Sequence, residues 1–259
     1  LHRGGWIFAA LCGALVVLPT GVGAAAEPAG YRVLSLGGYP VRWTPKDAAG
    51  HIALRYKIAD TAFDQPDAIN CKGMRPPDTV LRESRLQAST FRGALAAAFR
   101  QWRDIADLAF LEAGPGEAAD IIVGEQAEPI GFAFTNLTLA RTPSNGIRPI
   151  VSASICLNPQ RPWKIGYDGN LAVYDLVHTF AHEIGHVIGL DHPIGRAHMM
   201  SFRYSETLNG LSEGDKHGAV ALYGPSRIRS EIVSAPRTKP DPAQITTTIG
   251  RSLSSSPAE

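Results

Sequence analysis

An α+β fold is what the order of hydrophobic patterns along these 259 residues predicts. One alternating apolar segment comes first, followed by a long stretch with apolar residues at every third or fourth position. Several short apolar runs come next, and two further helical stretches close the pattern. The order strand, helix, several strands, helix, helix indicates α+β in one domain. Hydrophobic residues make up 44% and charged residues 19%, so the chain has the means to bury a core.

Residues 27–40 are rich in Gly, Pro and Ala and are expected to be extended. His51 to Ala59 alternates as a strand, with Ile52, Leu54, Tyr56 and Ile58 on one face. Asp60 to Asp78 is turn-rich. A helix is expected from Leu86 to Ala106, where Leu95, Ala98, Phe99, Trp102, Ile105 and Ala106 form a stripe and Arg92, Arg100, Arg103 and Asp104 lie off it. Leu108 to Glu112, Asp120 to Gly124, Gly131 to Thr138 and Ile150 to Leu157 read as strands. A second helix runs from Tyr174 to Gly189, with Asp175 in its first turn near the positive end of the dipole. The last begins at Ser212-Glu213-Gly214-Asp215, a capping-box pattern, and ends at Gly224-Pro225. Beyond Pro225, residues 226–259 are rich in Ser, Thr and Pro and read as a flexible tail.

The first 26 residues have the layout of a secretory signal peptide. Arg3 supplies the charge, Trp6 to Leu18 is an apolar run, Pro19 breaks it, and Ala24-Ala25-Ala26 fits the cleavage rule. The run is shorter than the roughly 20 residues a spanning helix needs, so no stable membrane anchor is expected after cleavage. A mature chain would carry 24 basic against 24 acidic residues, which gives no footprint for nucleic acid. It would keep two cysteines, Cys71 and Cys156. In an oxidising compartment, extracellular or periplasmic, such a pair favours one disulfide over two buried thiols.

One segment carries chemistry: His182-Glu183-Ile184-Gly185-His186-Val187-Ile188-Gly189-Leu190-Asp191-His192, an H-E-x-x-H-x-x-G-x-x-H pattern. His182 and His186 are four apart, so on a helix both imidazoles share a face and can reach one Zn²⁺. A straight helix would aim His192 elsewhere. Gly189 resolves this by taking a left-handed conformation that ends the helix and swings the chain back. Three neutral histidines leave a fourth tetrahedral position for water, the mark of a catalytic zinc site, and Glu183 is placed to act as general base. Five fixed positions recur by chance with probability on the order of 10⁻⁴ or less.

This segment resembles the zinc site of the metzincin endopeptidases, and the wider chain is similar to the catalytic domain of their matrixin branch. Val41-Arg42-Trp43, Leu54-Arg55-Tyr56, the Trp102 helix, Ala119-Asp120-Ile121, Tyr174-Asp175-Leu176 and Leu222-Tyr223-Gly224 fall in the family's order, so residues 41–225 are taken as the protease domain. The resemblance implies a twisted mixed sheet, an active-site helix, a Met-turn and a closing helix. It implies Met200 as the Met-turn methionine, with Met199 the alternative. It also implies a protein or peptide substrate lying along an exposed strand edge, for which Gly131, Phe132, Ala133 and Phe134 are the candidates, and Tyr204 as a wall of the specificity pocket. A monomer is expected.

Departures from the family are equally specific. No His/Asp-rich loop between Glu125 and Asn145 matches the usual structural zinc and calcium sites, so calcium stays open. Phe202 stands where some relatives carry a ligating Tyr, and a phenyl ring cannot ligate. Cys71-Lys72-Gly73 with Arg75-Pro76-Pro77-Asp78 echoes a propeptide switch but follows the first strand. His178 lies one turn before His182, yet a helix cannot aim three successive turns at one ion. His51 and His217 read as surface residues, His198 as a surface residue with substrate contact near the Met-turn as the alternative, Asp215 as a helix-start residue tied to the neighbouring turn, and Asp191 as an orienting group. The rival readings are a non-catalytic zinc-bearing binding module and a self-processing zincin; an intact Glu183 argues against the first.

Overall fold

Four parallel strands and one antiparallel edge strand make the centre of a nine-stranded sheet in the computed structural model, which describes residues 30–45, 50, 52–195 and 197–227. In chain order the elements are β1 (Arg32–Val33), β2 (Ser35–Leu36), β3 (Tyr39–Arg42), β4 (Ala53–Ile58), β5 (Phe63–Asp64), β6 (Gly73–Arg75), α1 (Asp78–Ser84) and α2 (Ala88–Arg103). Then come β7 (Ala109–Glu112), β8 (Ile121–Gln126), β9 (Ala133–Leu139), β10 (Arg148–Leu157), β11 (Trp163–Lys164), β12 (Tyr174–Asp175), α3 (Leu176–Val187), β13 (Leu190–Asp191) and α4 (Glu213–Tyr223). The predicted signal peptide, the tail from residue 228 and His51 lie outside the described residues. No helix among those described is long and apolar enough to cross a membrane.

The centre of the sheet runs β7-β4-β8-β10-β9 with β9 antiparallel to the rest, and β3, continued by β2, pairs parallel to the start of β10. Among the described residues β9 pairs only with β10, with Ile155 opposite Thr135 and Cys156 opposite Phe134. Its other edge therefore keeps its backbone groups available. Strand periodicity sorts side chains to two faces. Ile121, Val123 and Ile155 enter the main core with α2 and α3, whereas Ile122, Phe134 and Cys156 form a second cluster with Phe63, Cys71 and Met74. That second cluster sits beneath the β5–β6 hairpin, which joins the sheet through β6 and β8. Cys71 and Cys156 are bridged there.

The expected α+β architecture is what forms, with local corrections. The turn-rich stretch after β4 contains a hairpin, and the short helix α1 follows it, both too short for periodicity to reveal. The long helix spans Ala88–Arg103, because its last residues turn off into Asp104. Asp175 is the N-cap of α3 and not a first-turn residue; it has extended backbone and accepts the His178 amide hydrogen at 2.7 Å. The capping box at Ser212 and Asp215 forms as expected. On the main face, Trp102 Nε1 donates to the Ala181 carbonyl at 2.8 Å and Phe91 meets Phe180 edge-on, which clamps α3 onto α2.

Candidate active site

Helix α3 ends where Gly189 adopts φ +96°, and a Cβ there would lie 2.2 Å from the Val41 carbonyl oxygen. Only glycine satisfies both constraints. The reversal carries β13 back so that His192 faces the two helical histidines. His192 Nε2 lies 3.1 Å from His182 Nε2 and 3.1 Å from His186 Nε2. Each helical ring is held from behind: His182 Nδ1 donates to the Met199 carbonyl at 2.8 Å, and His186 Nδ1 to the Leu190 carbonyl at 2.9 Å.

These contacts decide what the cluster suits. With both Nδ1 atoms spent as donors, the helical Nε2 atoms present lone pairs towards His192 Nε2, an arrangement suited to an electrophile held among the three rings. Burial pushes His182 below the ordinary imidazole value, and burial together with the neighbouring His182 and His192 rings does the same to His186, which favours the neutral, ligating form of both. Three nitrogens on one tetrahedral zinc would be separated by about 3.3 Å, close to the observed spacing. No other group of three or more His, Cys, Asp or Glu side chains among the described residues is arranged to hold a metal. The donor set thus fits a single zinc ion.

Glu183 is buried beside this cluster. Its Oε2 accepts a hydrogen bond from the Thr135 hydroxyl at 2.7 Å, so edge strand and helix meet at the carboxylate. Desolvation raises its pKa to about 7, and the Thr135 hydrogen bond opposes that rise. A carboxylate so tuned can exchange a proton near neutral pH. Thr135 fell within a predicted strand, but no local spacing marks a contact 48 residues away.

Below the helix, Met199 and Met200 are both fully buried. A Cβ on Gly185 would fall 2.1 Å from Met200 Sδ, so the glycine between the two helical histidines admits the methionine against the helix backbone. Met199 instead contributes its backbone to the site through His182. Asp215, completely buried, binds the amides of both methionines. Phe202 is 79% exposed and meets the His192 ring edge-on at 5.3 Å.

A cavity of about 590 Å³ opens beside the cluster, and Gly131, Phe132, Ala133, Phe134 and Tyr204 all line it. One wall is a stack of rings: Phe132 on Tyr174 at 4.0 Å and Tyr174 on Tyr204 at 4.1 Å. His178 also lines the cavity and stays out of the metal cluster. Tyr167 donates to the Leu208 carbonyl and accepts from His178 Nδ1 at 2.8 Å. His198 is not a free surface residue; its Nδ1 lies 3.0 Å from Ser212 Oγ. His217 is exposed, and Asp191 bonds the His192 amide at 2.8 Å and pairs with Arg32.

Sequence missed Asn70, Glu206 and Lys164 as well. Lys164 Nζ contacts Asp168 and Glu206, and Glu206 in turn accepts from the Tyr204 hydroxyl at 2.8 Å. An ammonium ion ties together the loop that precedes α3 and the loop that follows the Met-turn.

Comparison with known proteins gives one family match and several relatives. The matrixin family of peptidases (peptidase M10) matches residues 79–224. Human matrix metalloproteinase-23 is 36% identical over 151 residues, covering 51% of this chain and 37% of that protein. Interstitial collagenase of Equus caballus is 29% identical over 139 residues, covering 52% and 28% respectively. Stromelysin-3 of Xenopus laevis is 30% identical over 148 residues, with shares of 52% and 28%. The chain thus spans well under half the length of these relatives.

Proposed function

This chain belongs to the matrixin family, and from that premise we propose that it is a secreted zinc-dependent endopeptidase in which Glu183 is the general base. The observation that carries the reading is the convergence of three imidazole Nε2 atoms at 3.1 Å contacts beside a buried carboxylate. His182, His186 and His192 would hold the zinc, and Met200 would be the methionine beneath it. Zinc bound there supplies a Lewis acid that acidifies water and polarises a peptide carbonyl.

The chain's own residues do the rest. Thr135 holds Glu183 Oε2, which leaves Oε1 to take a proton from the attacking water as its oxygen adds to the carbonyl carbon. Glu183 then passes that proton to the departing amine nitrogen, and the carboxylate is regenerated. An extended peptide is the substrate the site favours. The unpaired edge of β9 offers it backbone hydrogen bonds, and the cavity beside Tyr204 takes one of its side chains. Secretion is supported by the leader pattern in residues 1–26 and is consistent with a bridged Cys71 and Cys156.

Glu183→Ala tests this reading. Zinc measured by elemental analysis should remain at one per chain while peptide hydrolysis falls by about 10³-fold or more. Retained hydrolysis would overturn the base assignment, and a wild-type protein that binds zinc without cleaving any peptide would make it a binding module.

A further inference from the structure

The hairpin stretch after β4 ends in a loop that does not stay on its own side of the sheet. Gln65 to Cys71 starts over the second hydrophobic cluster and reaches round to the free edge of β9. Three polar contacts set its path. Gln65 Nε2 donates to the Cys71 carbonyl at 3.2 Å, Ser154 donates to Gln65 Oε1 at 3.0 Å, and the Ile69 amide donates to the buried Asn136 Oδ1 at 3.1 Å. The bridge to Cys156 ties the loop's end to β10.

Two side chains at the tip are left with capacity. Asn70 lines the same cavity as the three histidines and Glu183. Its Nδ2 lies 3.5 Å from the Thr135 carbonyl, too long to satisfy an amide that has two donor hydrogens and an acceptor oxygen. Ile69 is 86% exposed, and its amide is fixed on Asn136 of β9. Both stand beside the strand edge that an extended peptide would pair with.

We propose that the bridged segment Gln65–Cys71 is a second wall of the substrate cleft, in which Asn70 hydrogen-bonds the backbone of an extended peptide on β9 and Ile69 covers one of its apolar side chains. The inference rests on the peptide-cleaving reading above. It adds a length requirement: a peptide must extend past the cavity to gain the contacts of this loop. It also makes tight binding dependent on the oxidised state of Cys71 and Cys156, because the bridge spares the loop the entropy of finding this position.

Binding to a zinc-loaded Glu183→Ala protein tests the proposal apart from catalysis. The probes are two fluorescein-labelled mixed-sequence peptide pools, ten residues and four residues long. Adding Asn70→Ala should weaken the ten-residue pool about fivefold and leave the four-residue pool unchanged. Reduction of the bridge, or Cys71→Ser with Cys156→Ser, should do the same or more. Zinc content and circular dichroism serve as controls that the domain remains folded. Equal losses for both pools, or no loss for either, would overturn the proposal while leaving the zinc site intact. If neither pool bound the parent protein, the cleft reading would fall together with it.

Discussion

Met199 donates its amide hydrogen to Asp215 Oδ2 at 2.7 Å while its carbonyl accepts the Nδ1 hydrogen of His182 at 2.8 Å. One backbone unit thus links a buried carboxylate at the start of α4 to a proposed metal ligand. Asp215 also receives the Met200 amide and the Ser212 amide and hydroxyl. Its negative charge is spent entirely on donors. Replacing it by Ala would orphan those buried donors, each at a cost of about 1 to 3 kcal/mol. Asp215→Ala should therefore destabilise the fold by about 3 kcal/mol in urea unfolding and weaken zinc binding by about tenfold or more, read by competition with a chromogenic chelator. Asp215→Asn should lie between the two proteins, since it keeps acceptor oxygen at one position only.

Thr135 governs the pH response of Glu183. Burial raises that carboxyl to about 7, and the hydroxyl donor stabilises its charged form. In the proposed mechanism the charged form is the base, so activity should climb as pH rises through the carboxyl's titration. Thr135→Val removes the donor at nearly constant volume, which moves the acid limb of kcat/KM upward by up to about one pH unit. The loss is greatest below the limb and vanishes at alkaline pH. A pH-independent loss would mean that Thr135 acts on packing alone.

How much of this could be read from the chain follows from the range of each interaction. The histidine cluster was legible because His182, His186 and His192 sit within one helix and the reversal that Gly189 permits, where spacing fixes direction. The same holds for Ser212 and Asp215, one turn apart. The bridge between Cys71 and Cys156 was favoured over two buried thiols only through the leader pattern, which would remove Cys12 and imply an oxidising compartment, and the architecture followed from changes of hydrophobic period. Thr135, Asn70 and Glu206 were invisible. Each acts on a partner more than 35 residues away or at the end of a loop, and neither Thr nor Asn nor an isolated Glu carries a pattern. Helix α1 and the β5–β6 pair escaped because segments of two to seven residues are too short for a period.

His178 should make the protein acid-sensitive. Burial and the nearby His182 lower its pKa from 6.5 to about 4, so the folded state resists a proton that the unfolded chain accepts. Above pH 6.5 the residue is neutral in both states and contributes no pH dependence. As pH falls from 6.5 towards 4 the unfolded state alone gains the proton, and stability drops by up to about 3 kcal/mol. Below 4 both states are protonated and the slope disappears. Denaturant titrations with zinc in excess should show this slope for the wild type and a shallower one for His178→Gln. Identical slopes would remove His178 as its origin.

Lys164 carries the last prediction. Its ammonium group bridges Asp168 and Glu206, and Glu206 also accepts the Asp168 and Gly169 amides at 3.0 and 2.7 Å. The Tyr204 hydroxyl donates to Glu206 and accepts the Asp175 amide at 3.0 Å, so one wall of the cavity leans on this cation. The proposed reacting groups lie elsewhere, on α3 and at His192 just after β13. Lys164→Met keeps the aliphatic stem but leaves Asp168 and Glu206 facing each other without a counter-charge, and their repulsion should loosen residues 164–170. KM for peptides that fill the cavity should rise severalfold while kcat stays within a factor of about two, the split expected when binding in ground and transition states weakens equally. Limited proteolysis should detect new cuts in the same loop. A fall in kcat with KM unchanged would instead tie this ammonium to the chemical step.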